Sequence, residues 1–248
     1  CRGGAGCHEY THGALYHEIS SRDRGFFSEG ITTVSNAPDS ERDRRSLSLP
    51  DGVTISPDVV RPNRLPPGQR RTDQWPVMTS NGLPRVNLQT WRLRVDGLVA
   101  NPIEWSWEQF NALPRVRVYA DLHCVTRWSR LGNLWEGVPT REILARCGGP
   151  SPQARFVLVH ALDSGYTANL PLEDFLAEDA LVATYHDGQP LSLEHGWPAR
   201  LVVPRRYGWK SVKWLTRIEL REKDRAGYWE SGGYHMRGDP WKEERFRW

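Results

Sequence analysis

From Trp91 onward, apolar and polar side chains alternate at the two-residue period of a strand with one face buried. The pattern runs W-R-L-R-V at 91–95 and R-V-R-V-Y-A-D-L at 115–122. Between these stretches the period changes. Ser106 and Gln109 stand at capping-box spacing, which predicts a short helix over 107–113 that stops before Pro114. The stretch after residue 124 reads as a loop. A second helix follows from Pro139 to about Cys147, closed by Gly148-Gly149. Four further strands are predicted at 156–162, 179–186, 199–204 and 212–220, with a short helix starting at Pro171 and turn signals at Asp187-Gly188 and Pro204. No strand–helix alternation and no glycine-rich phosphate loop appears, so a doubly wound sheet is not expected. The order of elements implies one α+β domain, mainly β, over residues 56–248.

Residues 1–55 show no sustained apolar period and are rich in Arg, Ser, Gly and Asp, so they are expected to form a largely disordered extension. The segment 61–71, R-P-N-R-L-P-P-G-Q-R-R, then reads as a linker whose Arg61, Arg64, Arg70 and Arg71 face solvent.

Composition narrows the functional classes. The 33 basic and 30 acidic residues are interspersed and leave a net charge of +3, which does not make the basic stripe of a nucleic-acid binder. No run of about 18 apolar residues exists, so no membrane span is expected. Arg44-Arg45 resembles a twin-arginine start, but Ser46–Pro50 ends before an apolar region could form. Four irregularly spaced cysteines make no disulfide framework. A reducing, cytoplasmic setting and a monomer are the expectations. Twelve tryptophans admit two readings, a Trp-rich core or a pocket walled by flat rings.

Two stretches could carry chemistry. In D-L-H-C-V-T-R-W, 121–128, Cys124 ends a strand and opens a loop near His123, Arg127 and Arg130, where positive charge would favour the thiolate. Taken alone, Cys124 could be a small buried hydrophobe, which is the commoner case for a lone cysteine, half of a disulfide, a nucleophile or a metal ligand. The second stretch, 195–215, sets His195, Arg200, Lys210 and Lys213 around one short strand, a pattern suited to an anionic phosphate and a heterocycle edge. A surface hairpin with solvated cations is the plain alternative.

D-G-Q-P-L (187–191), H-G-W-P-A-R-L-V-V-P (195–204) and S-V-K-W-L (211–215) resemble the molybdopterin-binding domain of the sulfite oxidase family. T-W-R-L-R-V-D-G-L-V at 90–99 and D-L-H-C-V-T-R-W follow in family order, and C-V-T-R-W-S and W-E-G-V are similar to the short bacterial members. The resemblance covers about 65–248. It implies an oxidoreductase that transfers oxygen atoms in two-electron steps and carries one molybdenum per chain. Cys124 would be the metal's protein thiolate, alongside the dithiolene sulfurs of molybdopterin. Family positions for the pterin and its phosphate fall on Asp163, His195, Arg200, Ser211, Val212 and Lys213, with Thr79 and Ser80 also on the cofactor side. Tyr234 resembles the tyrosine whose hydroxyl points into the family's metal site, though a plain core or interface tyrosine stays open. Arg127 is the cation carried over near the substrate. The resemblance also implies a small, sulfur-containing substrate and a separate redox partner for electrons.

The departures limit the substrate. Met78 stands where sulfite oxidases place an arginine that holds the oxyanion, and the arginine pair after the cysteine is at altered offsets, Arg127 and Arg130. Two other classes remain: a domain of the same fold without catalysis, and a zinc metalloprotease remnant through H-E-Y-T-H, His8 to His12. Residues 13–55 supply neither a sheet nor a cleft for the latter.

Overall fold

The alternation at 91–95 becomes β3 (Arg92–Gly97), with Leu93 and Val95 fully buried and Arg92 and Arg94 exposed. The computed structural model describes residue 49 and residues 52–80, 82–162 and 165–247. Within them, β3 joins β4 (Ile103–Ser106), β7 (Phe156–Ala161), β8 (Thr167–Pro171) and β12 (Leu215–Arg221) in a sheet ordered β4-β3-β12-β7-β8. A second sheet runs from β1 (Val53–Ile55) through β5 (Val116–His123), β6 (Trp128–Pro139) and β9 (Leu181–His186) to β10 (Gln189–Pro190). In it β2 (Arg70–Arg71) pairs with β6, and β11 (Arg200–Val202) pairs with β9.

The helices are short: α1 (Trp107–Asn111), α2 (Thr140–Arg146), α3 (Leu172–Phe175) and α4 (Tyr228–Ser231). The fold is α+β and mainly β, as the sequence implied. The capping box holds in both directions, Ser106 Oγ accepting from Gln109 N–H and Gln109 Oε1 accepting from Ser106 N–H. α2 ends where two glycines adopt left-handed φ and Gly149 N–H reaches back to Leu144 O at 2.9 Å. Leu93, Val95, Val157, Val159, Ile218 and Leu220 form one core with α1 and α2, each burial contributing roughly 1.5–3 kcal/mol. A smaller core of Val118, Leu122, Trp135 and Leu181 lies under the second sheet.

Three expectations are corrected. The supposed loop after residue 124 is β6, a central strand twelve residues long. Its buried positions are Ser129, Asn133, Trp135, Gly137 and Val138, three of them polar or without a side chain, so hydrophobicity hides the period. Gly137 marks a close approach, since a Cβ there would stand 2.1 Å from Val182 O. The 61–71 segment is not a solvated linker throughout. Arg64 is 2% exposed and forms a bidentate pair with the buried Asp121, at 2.9 and 2.6 Å. A carboxylate buried at the end of β5 requires such a partner. Residues 53–55, read as extension, pair in parallel with β5. Residues 1–48, including the H-E-Y-T-H motif, and Asp163 lie outside the described residues. Among the described residues no helix is long and apolar enough to cross a membrane.

Candidate functional site

Five segments distant in sequence surround one cavity of about 250 Å³: the turn after β5, residues 75–80, the β7–β8 connection, residues 195–214, and the stretch from α4 to Tyr234. Cys124 enters from the turn that joins β5 to β6. Arg127 N–H closes that turn on Cys124 O at 3.1 Å, and Cys124 N–H donates to Trp128 O at 2.8 Å. The thiol, 3.1 Å from Thr126 Oγ1, lines the cavity in a residue only 8% exposed. Burial pushes this thiol above its usual range, opposed by hydrogen bonds at Thr126 and by the Arg245 charge.

That reverses the sequence expectation, because the basic neighbours turn elsewhere. His123 is buried against Ser129 Oγ at 2.8 Å. Arg130 pairs with Asp187 at 2.8 Å. Arg127, expected at the site, is exposed and does not line the cavity; its left-handed backbone, φ 72°, carries the side chain outward over Gly68.

The other wall carries positive charge. Arg200 is 4% exposed, donates to His195 O and Ser211 O at 3.0 Å each, and lies over the Trp75 and Trp135 rings. Among the described residues no carboxylate pairs with it, and burial lowers its pKa to about 10. Lys213 Nζ is held by Met78 O at 2.5 Å and Glu194 O at 2.8 Å. Gly196, with φ 111°, lies between the two cations: a Cβ there would be 3.0 Å from Arg200 Cβ and 3.1 Å from Lys213 Cβ. His195 stacks on Trp75 with ring centroids 3.8 Å apart. Burial lowers its pKa, the bond to Trp75 O opposes this, and Arg200 and Lys213 add to the lowering.

Ser211, Val212, Thr79, Ser80 and Tyr234 also line the cavity, Tyr234 stacked on Trp229 at 5.0 Å. So of the site residues implied by the resemblance, those the structure describes all line this cavity except Arg127. Lys210 turns away: it is fully buried against Glu230 at 2.5 Å and against Asn169 and Met236. Met78 lines the cavity where a cation was missing from the sequence. The aromatic walls Trp75, Tyr166, Trp209, Trp214 and Trp229 escaped residue-level reading; a pocket walled by flat rings was one of the two readings that the tryptophan count left open.

The sequence profile of the family described as oxidoreductase molybdopterin binding domain matches residues 80–229. The uncharacterized oxidoreductase YuiH of Bacillus subtilis (strain 168) is 47% identical over 75% of this chain and 93% of its own length. The protein-methionine-sulfoxide reductase catalytic subunit MsrP of Campylobacter jejuni is 28% identical over 58% of this chain, which spans about half of that relative (54%). The sulfane dehydrogenase SoxCD of Paracoccus pantotrophus shares the fold, with a TM-score of 0.54 and 21% identity over 80% of this chain and 56% of its own. On the profile match and the identity to YuiH together, the chain belongs to the sulfite oxidase-like family of molybdopterin-binding oxidoreductases.

Proposed function

We propose that this cavity holds molybdopterin, one per chain, that Cys124 supplies the protein's thiolate to molybdenum, and that the enzyme exchanges an oxygen atom with a small sulfur-containing substrate. The observation that carries the reading is the pairing, across one cavity, of a buried thiol with a buried guanidinium that has no carboxylate partner among the described residues. The residues fit the group. Arg200 and Lys213 offer charge to a phosphate, the rings of Trp75 and Trp214 offer flat apolar walls, and a soft sulfur suits a soft metal. Bound there, molybdopterin supplies a metal that cycles between oxidation states two electrons apart and exchanges an oxygen atom.

The chain's own residues do the rest. Arg200, held by two carbonyls, and Ser211, whose Oγ accepts from Val203 N–H at 3.0 Å, fix the anion end. His195 braces the aromatic wall, its Nε2 donating to Trp75 O at 3.2 Å while its Nδ1 meets Ser192 Oγ at 3.0 Å. Cys124 is a poor thiolate by itself, so ligation is what holds it deprotonated. Tyr234, boxed by Trp209, Trp229 and Phe246, sets its ring at the substrate side. Asp163 stays in this proposal as a pterin acceptor on sequence grounds alone. Arg127 leaves it. The Met78 side chain favours a neutral substrate, such as a sulfoxide, over sulfite, since a charge-assisted hydrogen bond of about 1.5–3 kcal/mol is missing there. Electrons are exchanged with a separate redox partner.

Metal and pterin analysis of protein expressed with molybdate, beside Cys124→Ser, tests the reading. Wild type should hold about one molybdenum per chain, and the mutant should keep pterin but lose activity. Wild type that carries neither metal nor pterin under cofactor-sufficient conditions would end it.

A further inference from the structure

The turn that bears Cys124 is held from outside by two segments beyond the 80–229 family match. Gln69 Nε2 donates to Cys124 O at 3.0 Å, and its Oε1 accepts from Ser129 Oγ at 3.3 Å. Next to it, Arg70 N–H donates to Arg127 O at 2.9 Å. From the far end of the chain, Arg245 Nη1 donates to Val125 O at 2.5 Å and Nη2 to Pro67 O at 3.4 Å. Three of the turn's four carbonyls are therefore captured by groups 55 to 120 residues away along the chain. Arg245 is itself fixed. It is 5% exposed, lies over the Tyr207 ring at 5.0 Å, and has Glu243 at 3.7 Å. The two clamping segments meet at Gly68. With φ 67°, it needs a conformation that side chains rarely adopt, and a Cβ there would stand 2.7 Å from Glu243 Oε1.

This arrangement exceeds what chain continuity requires. A four-residue turn between antiparallel strands needs no side-chain support, and bonds to its carbonyls reach no ligand. Their effect is on orientation: with the backbone of 124–127 pinned from both sides, the Cα–Cβ bond of Cys124 is held where its side chain lines the cavity. We propose that Gln69 and Arg245 are positioning residues that fix the direction of the Cys124 thiol toward the cofactor cavity. The inference rests on the reading of Cys124 as metal ligand and adds the device that orients it.

The test uses full-length Gln69→Leu, Arg245→Met and Arg245→Lys, with Cys124→Ser as reference. In the holoprotein, the part of the visible absorption spectrum lost in Cys124→Ser reports the sulfur–metal geometry. In full chain expressed without molybdate, peptide-resolved alkylation of Cys124 by iodoacetamide reports how freely the turn opens. Both Gln69→Leu and Arg245→Met should shift the Cys124-dependent band and speed alkylation about fivefold, the factor matching one ordinary hydrogen bond. Arg245→Lys, which keeps a donor and the charge, should restore most of both. An unshifted band with unchanged alkylation in the first two variants overturns the proposal. So does a Lys variant as impaired as Met. Should Arg245→Met not fold, Gln69→Leu and Arg245→Lys decide by the same readouts. If wild type and Cys124→Ser have identical spectra, the ligand reading fails, while the alkylation rates still judge the clamp.

Discussion

Replacing Arg200 with methionine should separate two quantities that usually fall together, the stability of the cofactor-free chain and its hold on the cofactor. The guanidinium is buried with no carboxylate partner among the described residues, and burial brings its pKa down from the ordinary guanidinium range to about 10. The folded value lies below the unfolded one. The cost to the folded state is therefore fully present below pH 10 and is relieved only as pH rises beyond that value toward the ordinary guanidinium range. At neutral pH that cost is about 3 kcal/mol. Methionine removes it and keeps much of the apolar stem that packs on Trp75 and Trp135, but it leaves His195 O and Ser211 O without their donor, at about 1–3 kcal/mol each. The two effects largely offset. Thermal melts of the cofactor-free variant should match wild type within about 3 kcal/mol. Cofactor retention should behave differently, since a lost charge-assisted hydrogen bond of about 1.5–3 kcal/mol weakens binding roughly 10- to 150-fold. Pterin quantified after exhaustive dialysis reads that loss. A cofactor-free variant destabilised by more than about 4 kcal/mol would show that Arg200 is a structural brace, and undiminished pterin would show that it faces no anion; either refutes the argument.

Lys210→Met should destabilise the chain by about 3–5 kcal/mol in urea unfolding, because Glu230 stays fully buried without its counter-charge; adding Glu230→Gln should recover much of the loss, and failure to do so would sink the account. His186, pushed down to about 4 mainly by burial between Trp75 and Trp135, contributes stability that is complete above about pH 6.5 and is lost as pH falls toward 4. The difference in urea midpoint between wild type and His186→Phe should vanish or reverse across that window, and a pH-independent difference contradicts it. Met78→Arg should lower the KM for sulfite at least tenfold while raising that for a neutral sulfoxide; equal KM values in the two proteins would show that position 78 does not meet the substrate.

The fold was legible wherever burial followed hydrophobicity. β3 buries Leu93 and Val95 and β12 buries Ile218 and Leu220 at alternate positions, so their period was visible; β7 showed as an apolar run buried at Val157, Leu158 and Val159, and α1 announced itself through Ser106 and Gln109. β6 was not legible, because the inward positions Ser129, Asn133 and Gly137 are polar or lack a side chain. β8 failed similarly: its buried Asn169 serves Lys210 rather than an apolar layer. The 61–71 segment misled because proline and arginine describe a linker only when the arginines reach water. Asp121, more than fifty positions away, is what draws Arg64 inside.

The site followed a parallel rule. Residue type and order were enough to gather Cys124, Arg200, Lys213 and Tyr234 around one cavity, since those depend on which side chains recur together. The sign of the field at Cys124 was not readable, because three nearby cations in sequence became none in space: His123 turned inward, Arg127 outward and Arg130 toward Asp187. The charge that does oppose burial at the thiol comes from Arg245, which no spacing connects to residue 124. A thiol's protonation is set by desolvation against charge, and both are properties of the folded chain. A buried thiol with a raised pKa is inert toward most electrophiles yet still available to a metal, whose charge outweighs the desolvation that a side-chain cation leaves uncompensated. The same burial that argues against Cys124 as a free nucleophile is therefore compatible with its assignment as a ligand.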